Sequence, residues 1–553
     1  MPANNSQDTS HYTAIPYNSL PGFSRVWQSV IADDPAADAL YACPPADMQS
    51  CQMAAQQQLA RKYPWKELAS IIEAEGQQYG LPPSAFNRLN LLAEGKAVAV
   101  VTGQQVGFLG GPFYTFIKAY HCVRLARALE ASLKQPVLPI FWLEGEDHDL
   151  AEISKSFYAD ASGELQSLEF TPDKTIPGFE VGRYAIPAEM TALVHTLVSA
   201  LQTASAEGAD LLEQAYTETT LSGGMGRLLA ATLGHYGLFP VEGMHSKLKQ
   251  IAAPLWRQVI ERGPKLGELL KSRTEELQRH NWPTPLRPTE DSYLFYVSGT
   301  DHIRAPLGYD GSLRHPVKGT EHITSSQLLS QIENGSLTIS PKAALRPLYQ
   351  DYVLPTIAYV AGPTELEYHA QLSPFYRELN VVPPSLFPRM TVTLTDSKTA
   401  RLLEKLELSP EQILTTPQHE LKKSLLHDAD EGRTAQLFDE TKTQIEHIFD
   451  SLQAELAQID PTLAGAVRTS AGKGLQPLEQ LRKKAEKSLQ QRHATTLSRL
   501  EKVYISLKPN DTPAERVYGT AYYLTKYGPH RLLEILDNTP ADNKAHSFII
   551  ADS

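Results

Sequence analysis

Residues 97–112 read AVAVVTGQQVGFLGGP, and this stretch decides the predicted fold. Its first five residues are apolar, and a short apolar run bounded by turn signals is typical of a strand buried on both faces of a parallel sheet. A glycine-rich turn follows from Thr102, and a helix is predicted from about Phe113 to Ser132. The next apolar run, residues 137–143, predicts a second strand. Strand, turn, helix and strand form a βαβ unit, which opens a doubly wound α/β sheet.

Further apolar runs extend this Rossmann-like core along the chain. The additional strand candidates are residues 238–241, 293–297, 356–360 and 381–387. We therefore expect the core to occupy residues 1–395, with inserted connecting segments near residues 155–230 and 265–345.

The composition changes at Asp396, after which glycine is scarce and Lys, Glu, Gln and Leu dominate. Apolar residues then recur every three or four positions along two arms, which Asp460-Pro461 separates. This pattern predicts an antiparallel helical hairpin with a coiled-coil seam. We expect the hairpin domain to occupy residues 396–510 and a helical tail to occupy residues 511–553.

The charge balance and the cysteine content narrow the functional classes. The formal net charge of −12 argues against a general nucleic-acid-binding protein, which needs a basic surface. Three cysteines in 553 residues do not make a disulfide framework, which fits a reducing compartment such as the cytoplasm. No apolar run is long enough to span a membrane, so no membrane partner is expected.

The glycine-rich turn is the first candidate site. Gly103 and Gly107 leave the backbone open to a ligand, at the end of a strand where α/β sheets bind ligands. Thr102, Gln104 and Gln105 add side chains that can form hydrogen bonds. The pattern is neither the dinucleotide-binding glycine motif nor a P-loop. The alternative is a turn shaped only for packing.

The second candidate site follows the next predicted strand. Glu146, Asp147, His148 and Asp149 lie close to one another in the chain, and Glu144 precedes them. These side chains could bind a substrate amine, hold a sugar hydroxyl, act as a base, or ligate magnesium. A solvated acidic loop is the alternative. A zinc site is less favoured, because typical histidine and cysteine spacings are missing nearby.

A third segment follows the strand candidate at residues 356–360 and opens a helix. Gly362 precedes this helix, and Glu365 and Tyr368 would share one of its faces. Capping and packing are the alternative roles. Lys118 and Arg389 lie near other strand–helix junctions, where each could bind an anionic group or form a surface ion pair.

Taken in order, these segments resemble one family, the cysteine-adding enzymes of bacillithiol biosynthesis called BshC. The resemblance covers essentially the whole chain and rests on long motifs. They are Val101-Thr102-Gly103-Gln104-Gln105-x-Gly107, Gly111-Pro112-x-Tyr114-Thr115, Lys118-Ala119, Phe141-Trp142, Gly145-Glu146-Asp147-His148-Asp149, Leu345-Arg346-Pro347, Gln350-Asp351-Tyr352, Gly362-Pro363 with Glu365 and Tyr368, Pro388-Arg389, and Pro513-x-Glu515-Arg516.

The resemblance implies a Rossmann-like core, an antiparallel coiled coil and a homodimer formed through it. The implied reaction joins cysteine to glucosaminyl-malate, the last step in making the thiol bacillithiol. Two features depart from the family pattern. Ala361 stands where a second glycine is usual, and Glu242-Gly243-Met244-His245 stands where an Asp-rich turn is expected.

The sequence therefore predicts a ligase that forms an amide bond. ATP or another nucleotide is expected to activate the carboxyl group, by analogy of fold, and no metal is firmly implied. The expected catalytic residues are Glu146, Asp147, His148 and Asp149. The expected binding residues are Thr102, Gly103, Gln104, Gln105, Gly107, Tyr114, Lys118, Gly362, Glu365, Tyr368 and Arg389. The rival interpretations are a metal-dependent hydrolase of a small amide or sugar, and a non-catalytic coiled-coil assembly protein.

Overall fold

The computed structural model describes residues 11–552 except 202, 218, 290, 541 and 542. Residues 1–10 of the predicted core lie outside the described residues. The described chain divides into two compact units. The core unit combines residues of Met1–Asp396 with residues of Ala514–Ser553, and the arm unit is Ser397–Pro513.

The strands belong to the core unit. In chain order they are β1 (His11–Pro16), β2 (Val98–Gln105), β3 (Val137–Glu144), β4 (Lys155–Ala159), β5 (Leu165–Glu169), β6 (Phe239–Glu242), β7 (Ser292–Ser298), β8 (Ala305–Gly308), β9 (Ser312–His315), β10 (Gly319–His322), β11 (Thr338–Pro341), β12 (Thr356–Ala361), β13 (Ser385–Pro388), β14 (Val392–Thr395) and β15 (Ala545–Ile550).

The central sheet is parallel and has the order β13-β12-β2-β3-β6. It confirms the predicted Rossmann-like fold class. The chain builds outward from β2 through β3 to β6, and then returns to the other side of β2 with β12 and β13. The direction of winding therefore reverses between β2 and β12, and ligands of open α/β sheets bind at such a point.

The core unit contains three further sheets, one of five strands, one of two and one of three. Their orders are β10-β9-β8-β7-β11, β4-β5 and β1-β15-β14. The strand candidate at residues 293–297 forms β7, which pairs antiparallel with β8 and β11 and does not join the parallel sheet. Residues 292–341 thus form an inserted sheet of their own.

The helices cover both faces of the central sheet and form most of the arm unit. Before the arm they are α1 (Arg25–Ile31), α2 (Pro35–Asp38), α3 (Met48–Leu59), α4 (Trp65–Gln78), α5 (Leu89–Ala93), α6 (Phe113–Leu133), α7 (Leu150–Ile153), α8 (Met190–Ala200), α9 (Ala206–Tyr216), α10 (Leu221–Leu233), α11 (Ser246–Ile251), α12 (Ala253–Glu261), α13 (Gly263–Arg279), α14 (Ser325–Glu333), α15 (Arg346–Val353) and α16 (Pro363–Glu378).

The remaining helices form the arm unit and the C-terminal segment. They are α17 (Ser397–Leu406), α18 (Pro410–Thr415), α19 (Gln418–Ala429), α20 (Arg433–Ile459), α21 (Ala464–Arg492) and α22 (Ala494–Leu507) in the arm, and α23 (Ala514–Val517), α24 (Thr520–Tyr527) and α25 (Pro529–Asp537) after it.

The arm unit contains the predicted antiparallel hairpin, formed by α20 and α21. Asp460 ends the first helix and accepts a hydrogen bond from the Thr462 amide, which starts the turn between the helices. Arg482 then pairs with Asp439 at 2.7 Å across the hairpin. Several apolar side chains of the hairpin remain exposed, among them Ile448, Leu452, Ile459 and Leu481.

The C-terminal segment differs from the separate helical tail expected at residues 511–553. Its residues from Ala514 onward belong to the core unit and end in strand β15. This strand lies between β1 and β14, antiparallel to the first and parallel to the second. The buried strand residues Phe548 and Ile549 explain the difference, because they complete a sheet instead of facing water.

Among the described residues, no helix is both long enough and apolar enough to cross a membrane.

Candidate active site

A cavity of about 790 Å³ opens in the core unit at the carboxyl ends of the parallel strands. It lies at the point between β2 and β12 where the winding reverses, which is where the fold predicts a ligand site. Its lining contains six basic and four acidic side chains. The basic residues are Lys118, Arg304, Lys342, Arg346, Arg389 and Arg516, and the acidic residues are Glu144, Asp147, Glu152 and Glu365.

A buried ion pair connects the two sides of this point. The Lys118 ammonium, on α6, donates to Glu365 Oε2 at 2.6 Å and to the Gly103 carbonyl at 2.6 Å. Lys118 is only 1% exposed. The sequence left open whether Lys118 forms a surface ion pair, and the structure places it inside, where it links the turn after β2 to helix α16.

Glu365 is held by partners on several elements. Its Oε2 accepts the Gly362 amide at 2.6 Å, and its Oε1 accepts the Tyr359 hydroxyl at 2.7 Å. Burial alone would raise the pKa of Glu365, but the charges of Lys118 and Arg346 lower it to about 2. This carboxylate is therefore ionised and fully engaged, so it orients its neighbours rather than exchanging protons. The expected helix-capping role of Glu365 and its place at the cavity coexist.

Arg346 and Tyr368 form the adjoining part of the wall. The Arg346 guanidinium donates to the Tyr368 hydroxyl at 2.7 Å and lies 3.7 Å from Glu144 Oε2. Tyr368 and Gly362, both predicted as binding residues, line the cavity as expected from their positions after β12.

Asp147 lies on the opposite wall, in the loop that follows β3. Its carboxylate accepts hydrogen bonds from the Gln105 side chain and from the His148 amide, and lies 3.7 Å from Arg304. Burial would raise the pKa of Asp147, but these hydrogen bonds and the Arg304 charge hold it below its usual range. Asp147 is thus an ionised carboxylate that takes up a proton poorly, which suits it to hold an ammonium group.

His148 faces the same part of the cavity. Its Nδ1 lies 2.9 Å from Arg304 Nη1, and because a guanidinium can only donate, this nitrogen must accept. Burial and the Arg304 charge also lower the pKa of His148, which favours the neutral ring. The proton then sits on Nε2, so the ring can offer a hydrogen bond to a substrate oxygen.

The other two members of the acidic cluster do not line the cavity. Glu146 is buried and pairs with Lys249 at 2.7 Å. Asp149 caps the short helix α7 by accepting the Glu152 amide. The cluster divides because Lys249 holds Glu146 and the start of α7 holds Asp149, so only Asp147 and His148 line the cavity. The catalytic assignments of Glu146 and Asp149 therefore lack support from the geometry.

The glycine-rich turn also divides into two parts. Gly103, Gln104 and Gln105 line the cavity, and the Gln104 amide donates to the Tyr114 hydroxyl at 3.1 Å. Thr102 is fully buried and donates to the Val360 carbonyl, where it ties β2 to β12.

Gly107 serves the packing of the turn. A Cβ atom at this position would lie 2.5 Å from the Gly111 Cα atom. The amides of Gly107, Gly110 and Gly111 all donate hydrogen bonds within the protein. These three amides are therefore engaged, and Gly107 is not among the residues that line the cavity, contrary to the predicted ligand contact there.

Arg389 and Tyr114 meet at the end of the cavity near β13. Arg389 is almost fully buried, pairs with Glu515 at 2.6 Å, and lies over the Tyr114 ring. Both residues line the cavity, as predicted. Arg516, from the C-terminal segment, joins them there.

Sequence reasoning missed several cavity residues. Tyr296, Arg304 and Lys342 come from the inserted antiparallel sheet and its end, and no local pattern singled them out. Arg346 and Arg516 stood within motifs quoted for the resemblance but were not chosen. Counting basic residues in those motifs could have found the last two.

Comparison with known proteins agrees with this architecture. Residues 11–390 match the family model "Bacillithiol biosynthesis BshC, N-terminal Rossmann-like domain". Residues 392–551 match "Bacillithiol biosynthesis BshC, C-terminal coiled-coil domain".

Curated relatives with the name "Putative cysteine ligase BshC" match over most of their length. The relative from Solibacter usitatus is 30% identical over 98% of this chain and 100% of its own. The relative from Heliobacterium modesticaldum is 31% identical over 87% of this chain and 89% of its own. The relative from Salinibacter ruber is 29% identical over 87% and 88%. The two family models and the curated relatives indicate the same family, and the chain belongs to the bacillithiol biosynthesis BshC family.

Proposed function

We propose that this protein joins the carboxyl group of L-cysteine to the amine of glucosaminyl-malate, and that the cavity is where it does so. The observation that supports this most is the mixed lining of the cavity, with six basic and four acidic side chains around about 790 Å³. Both substrates carry amines and carboxylates, and such a lining has partners for both. The names of the curated relatives point to the same activity.

Asp147 is the proposed ligand of the substrate amine. It is ionised, lies on the cavity wall, and is held in place by Gln105 and Arg304. Because the orientation of the Asp147 carboxylate is fixed, it would bind the substrate ammonium group in one defined position. His148 Nε2 would donate to a substrate oxygen nearby, because Nδ1 is engaged with Arg304.

A nucleotide such as ATP is the proposed activator, since a free carboxylate does not acylate an amine in water. When bound, it would supply a leaving group on the cysteine carboxyl. The glycine-rich turn does not suit its phosphates, because the amides of Gly107, Gly110 and Gly111 are already engaged. Lys342 suits them better, because its ammonium lines the cavity and donates only to the Tyr293 carbonyl and the Ser292 hydroxyl among the described residues. Arg304 lies on the same wall.

The observations favour the ligase over the metal-dependent hydrolase. Glu146 and Asp149 are engaged away from the cavity, so the carboxylates of the loop do not converge. Among the residues that the structure describes, no group of three or more histidine, cysteine, aspartate or glutamate side chains is arranged to hold a metal ion.

We also infer that two copies of the chain associate through the arm hairpin, in the cytoplasm. Ile448 and Leu452 lie one turn apart on α20 and are 63% and 46% exposed. A pair of apolar side chains at coiled-coil spacing on a charged helix favours a partner helix. The free thiols of Cys43, Cys51 and Cys122 fit a reducing compartment.

The decisive experiment is turnover of L-cysteine and glucosaminyl-malate by the full chain, with ATP, with other nucleoside triphosphates and without nucleotide. Mass spectrometry of the amide product gives the readout. We expect product only with a nucleotide. Absence of product under all conditions would contradict the ligase, and product without nucleotide would contradict only the activation step.

A further inference from the structure

The glycine-rich turn holds the C-terminal segment that follows the arm. The Thr520 amide donates to the Gly111 carbonyl at 2.8 Å, and the Thr520 hydroxyl donates to the Gly110 carbonyl at 3.1 Å. The Phe113 amide donates in turn to the Tyr518 carbonyl at 2.9 Å. Gly110 and Gly111 have φ angles of +86° and +66°, which favour glycine. A Cβ atom at Gly110 would also lie 3.0 Å from Thr520 Cβ.

This attachment brings two charged residues to the end of the cavity. Glu515 pairs with Arg389 at 2.6 Å and also accepts the Val392 amide at 2.8 Å. Both side chains of this pair are only 2% exposed. The single negative charge of Glu515 is therefore committed to Arg389.

Arg516 follows directly and lines the cavity beside Arg389 and Tyr114. Within the described part of the chain, no carboxylate lies within 4.0 Å of its guanidinium. Burial and the neighbouring Arg389 charge lower the pKa of Arg516, and the more distant charges of Glu515 and Glu367 offset this only in part. Arg389 thus has a carboxylate partner in direct contact at this end of the cavity, whereas Arg516 has none among the described residues.

We propose that Arg516 is a specificity-determining residue that receives a carboxylate of the malate portion of the amine substrate. A guanidinium presents its donors in a planar fork that matches a carboxylate. The carboxyl group of cysteine is consumed in the new bond, whereas the malate carboxylates stay anionic throughout. A permanent positive charge at Arg516 therefore suits the malate carboxylates, whose negative charge persists throughout the reaction. This inference rests on the proposed function.

Binding measurements test the inference without any turnover. Glucosaminyl-malate and methyl glucosaminide, which lacks the malate carboxylates, are titrated calorimetrically into the full chain without cysteine or nucleotide. The wild type should bind glucosaminyl-malate more tightly. Arg516→Gln should weaken that binding by roughly tenfold to a hundredfold, as expected for loss of a charge-assisted hydrogen bond. Binding of methyl glucosaminide should not change, and Arg516→Lys should recover part of the lost affinity.

Arg531→Gln is the matched control, because Arg531 lies in the same segment and pairs with Glu534 on the surface. It should bind both ligands as the wild type does. Unchanged affinity of Arg516→Gln for glucosaminyl-malate overturns the inference, as does a wild type that prefers neither ligand. A separate calorimetric titration with ATP gives one more outcome. Weaker ATP binding by Arg516→Gln with unchanged glucosaminyl-malate affinity would show that Arg516 receives phosphate, which also overturns the inference. A chain that makes no amide but shows the Arg516-dependent preference would overturn the proposed function alone.

Discussion

Asp147 is the residue whose surroundings most directly suggest a role. Its carboxylate is held by Gln105, by the His148 amide and by the charge of Arg304. Asp147→Asn keeps the size of the side chain and removes its charge. We expect kcat/KM for amide formation to fall by roughly two orders of magnitude or more, because the amine loses its counter-charge. Steady-state kinetics with glucosaminyl-malate measures the loss.

Asp160→Asn is the control for this change. Asp160 also accepts backbone amides, those of Ser162 and Glu164, but lies in an exposed loop outside the cavity. It should leave kcat/KM unchanged. If Asp147→Asn retained full activity, the loop would be structural and the amine would need another ligand.

Glu242 carries a prediction about pH. The Glu242 side chain is half-buried, its Oε1 atom is buried without a hydrogen-bond partner among the described residues, and desolvation raises the pKa of Glu242 to about 7. Its unfolded-state pKa is about 4.3. Its contribution to stability is therefore complete below about pH 4 and is lost as the pH rises through about 7.

Replacing this carboxyl with an amide should remove that dependence. Between pH 5 and 8, wild-type stability should fall relative to Glu242→Gln by roughly 1–3 kcal/mol. Melting curves across this range provide the measurement. Glu164→Gln, at an exposed position, should run parallel to the wild type. A wild-type curve parallel to that of Glu242→Gln would mean that Glu242 titrates normally.

At the scale of elements, substitutions at two glycines can distinguish a turn that serves packing from a turn that contacts the ligand. Gly107 and Gly362 both have φ near −77°, which any residue can adopt. Alanine at Gly107 would overlap the Gly111 backbone, whereas alanine at Gly362 would approach Glu365 Oε2 at 3.2 Å, beside the cavity. The same substitution should therefore have different effects in the two turns.

Gly107→Ala should lower the free energy of unfolding by about 1–3 kcal/mol, because the backbone must shift. Gly362→Ala should leave the melting temperature nearly unchanged and weaken glucosaminyl-malate binding by about tenfold, as expected for one misplaced methyl group. Melting curves and calorimetric titration of both variants separate these effects. Weak binding by a fully stable Gly107→Ala would instead support that glycine as a ligand contact.

The elements themselves were largely predictable, but their contacts were less so. Apolar runs at residues 97–101 and 137–143 located β2 and β3, because strands buried on both faces need such runs. The contact of Gly110 and Gly111 with Thr520 could not be predicted from the local sequence, because Thr520 lies about 400 residues away in the chain. Local patterns show where a turn is, but not what binds to it.

For the whole molecule, the exposed apolar side chains of the arm predict the oligomeric state. Leu452→Asp places a charge where the separate chain already meets water, so the hairpin should still fold. In a dimer joined at this face, the charge would be buried without a partner, at a cost of several kcal/mol. Sedimentation velocity of Leu452→Asp should therefore show a monomer.

Ala454→Asp is the matched change, because Ala454 is also exposed on α20 and its spacing from Leu452 puts it on the opposite side of the helix. This variant should sediment as the wild type does. A wild-type monomer, or a Leu452→Asp dimer, would contradict association through this face.

The candidate site was predictable where it follows the parallel strands. Gly103, Asp147, Gly362 and Arg389 all come from the ends of such strands, and the topology of an α/β sheet brings these ends together. Arg304 and Arg516 come from an inserted sheet and from the end of the chain. Their positions depend on long-range packing, which a single sequence does not reveal.

The placement of β15 between β1 and β14 also determines when the protein can finish folding during synthesis. Strand β1 begins at His11, but its partner β15 begins at Ala545. At roughly 5–20 residues per second, a ribosome needs about half a minute to two minutes to make the chain between them. Through that interval the nascent chain lacks the middle strand of one sheet, and for most of it the chain also lacks Arg516. A messenger cut short within the arm would therefore yield a chain in which β1 and β14 lack the strand between them, which makes it a target for chaperones and proteases.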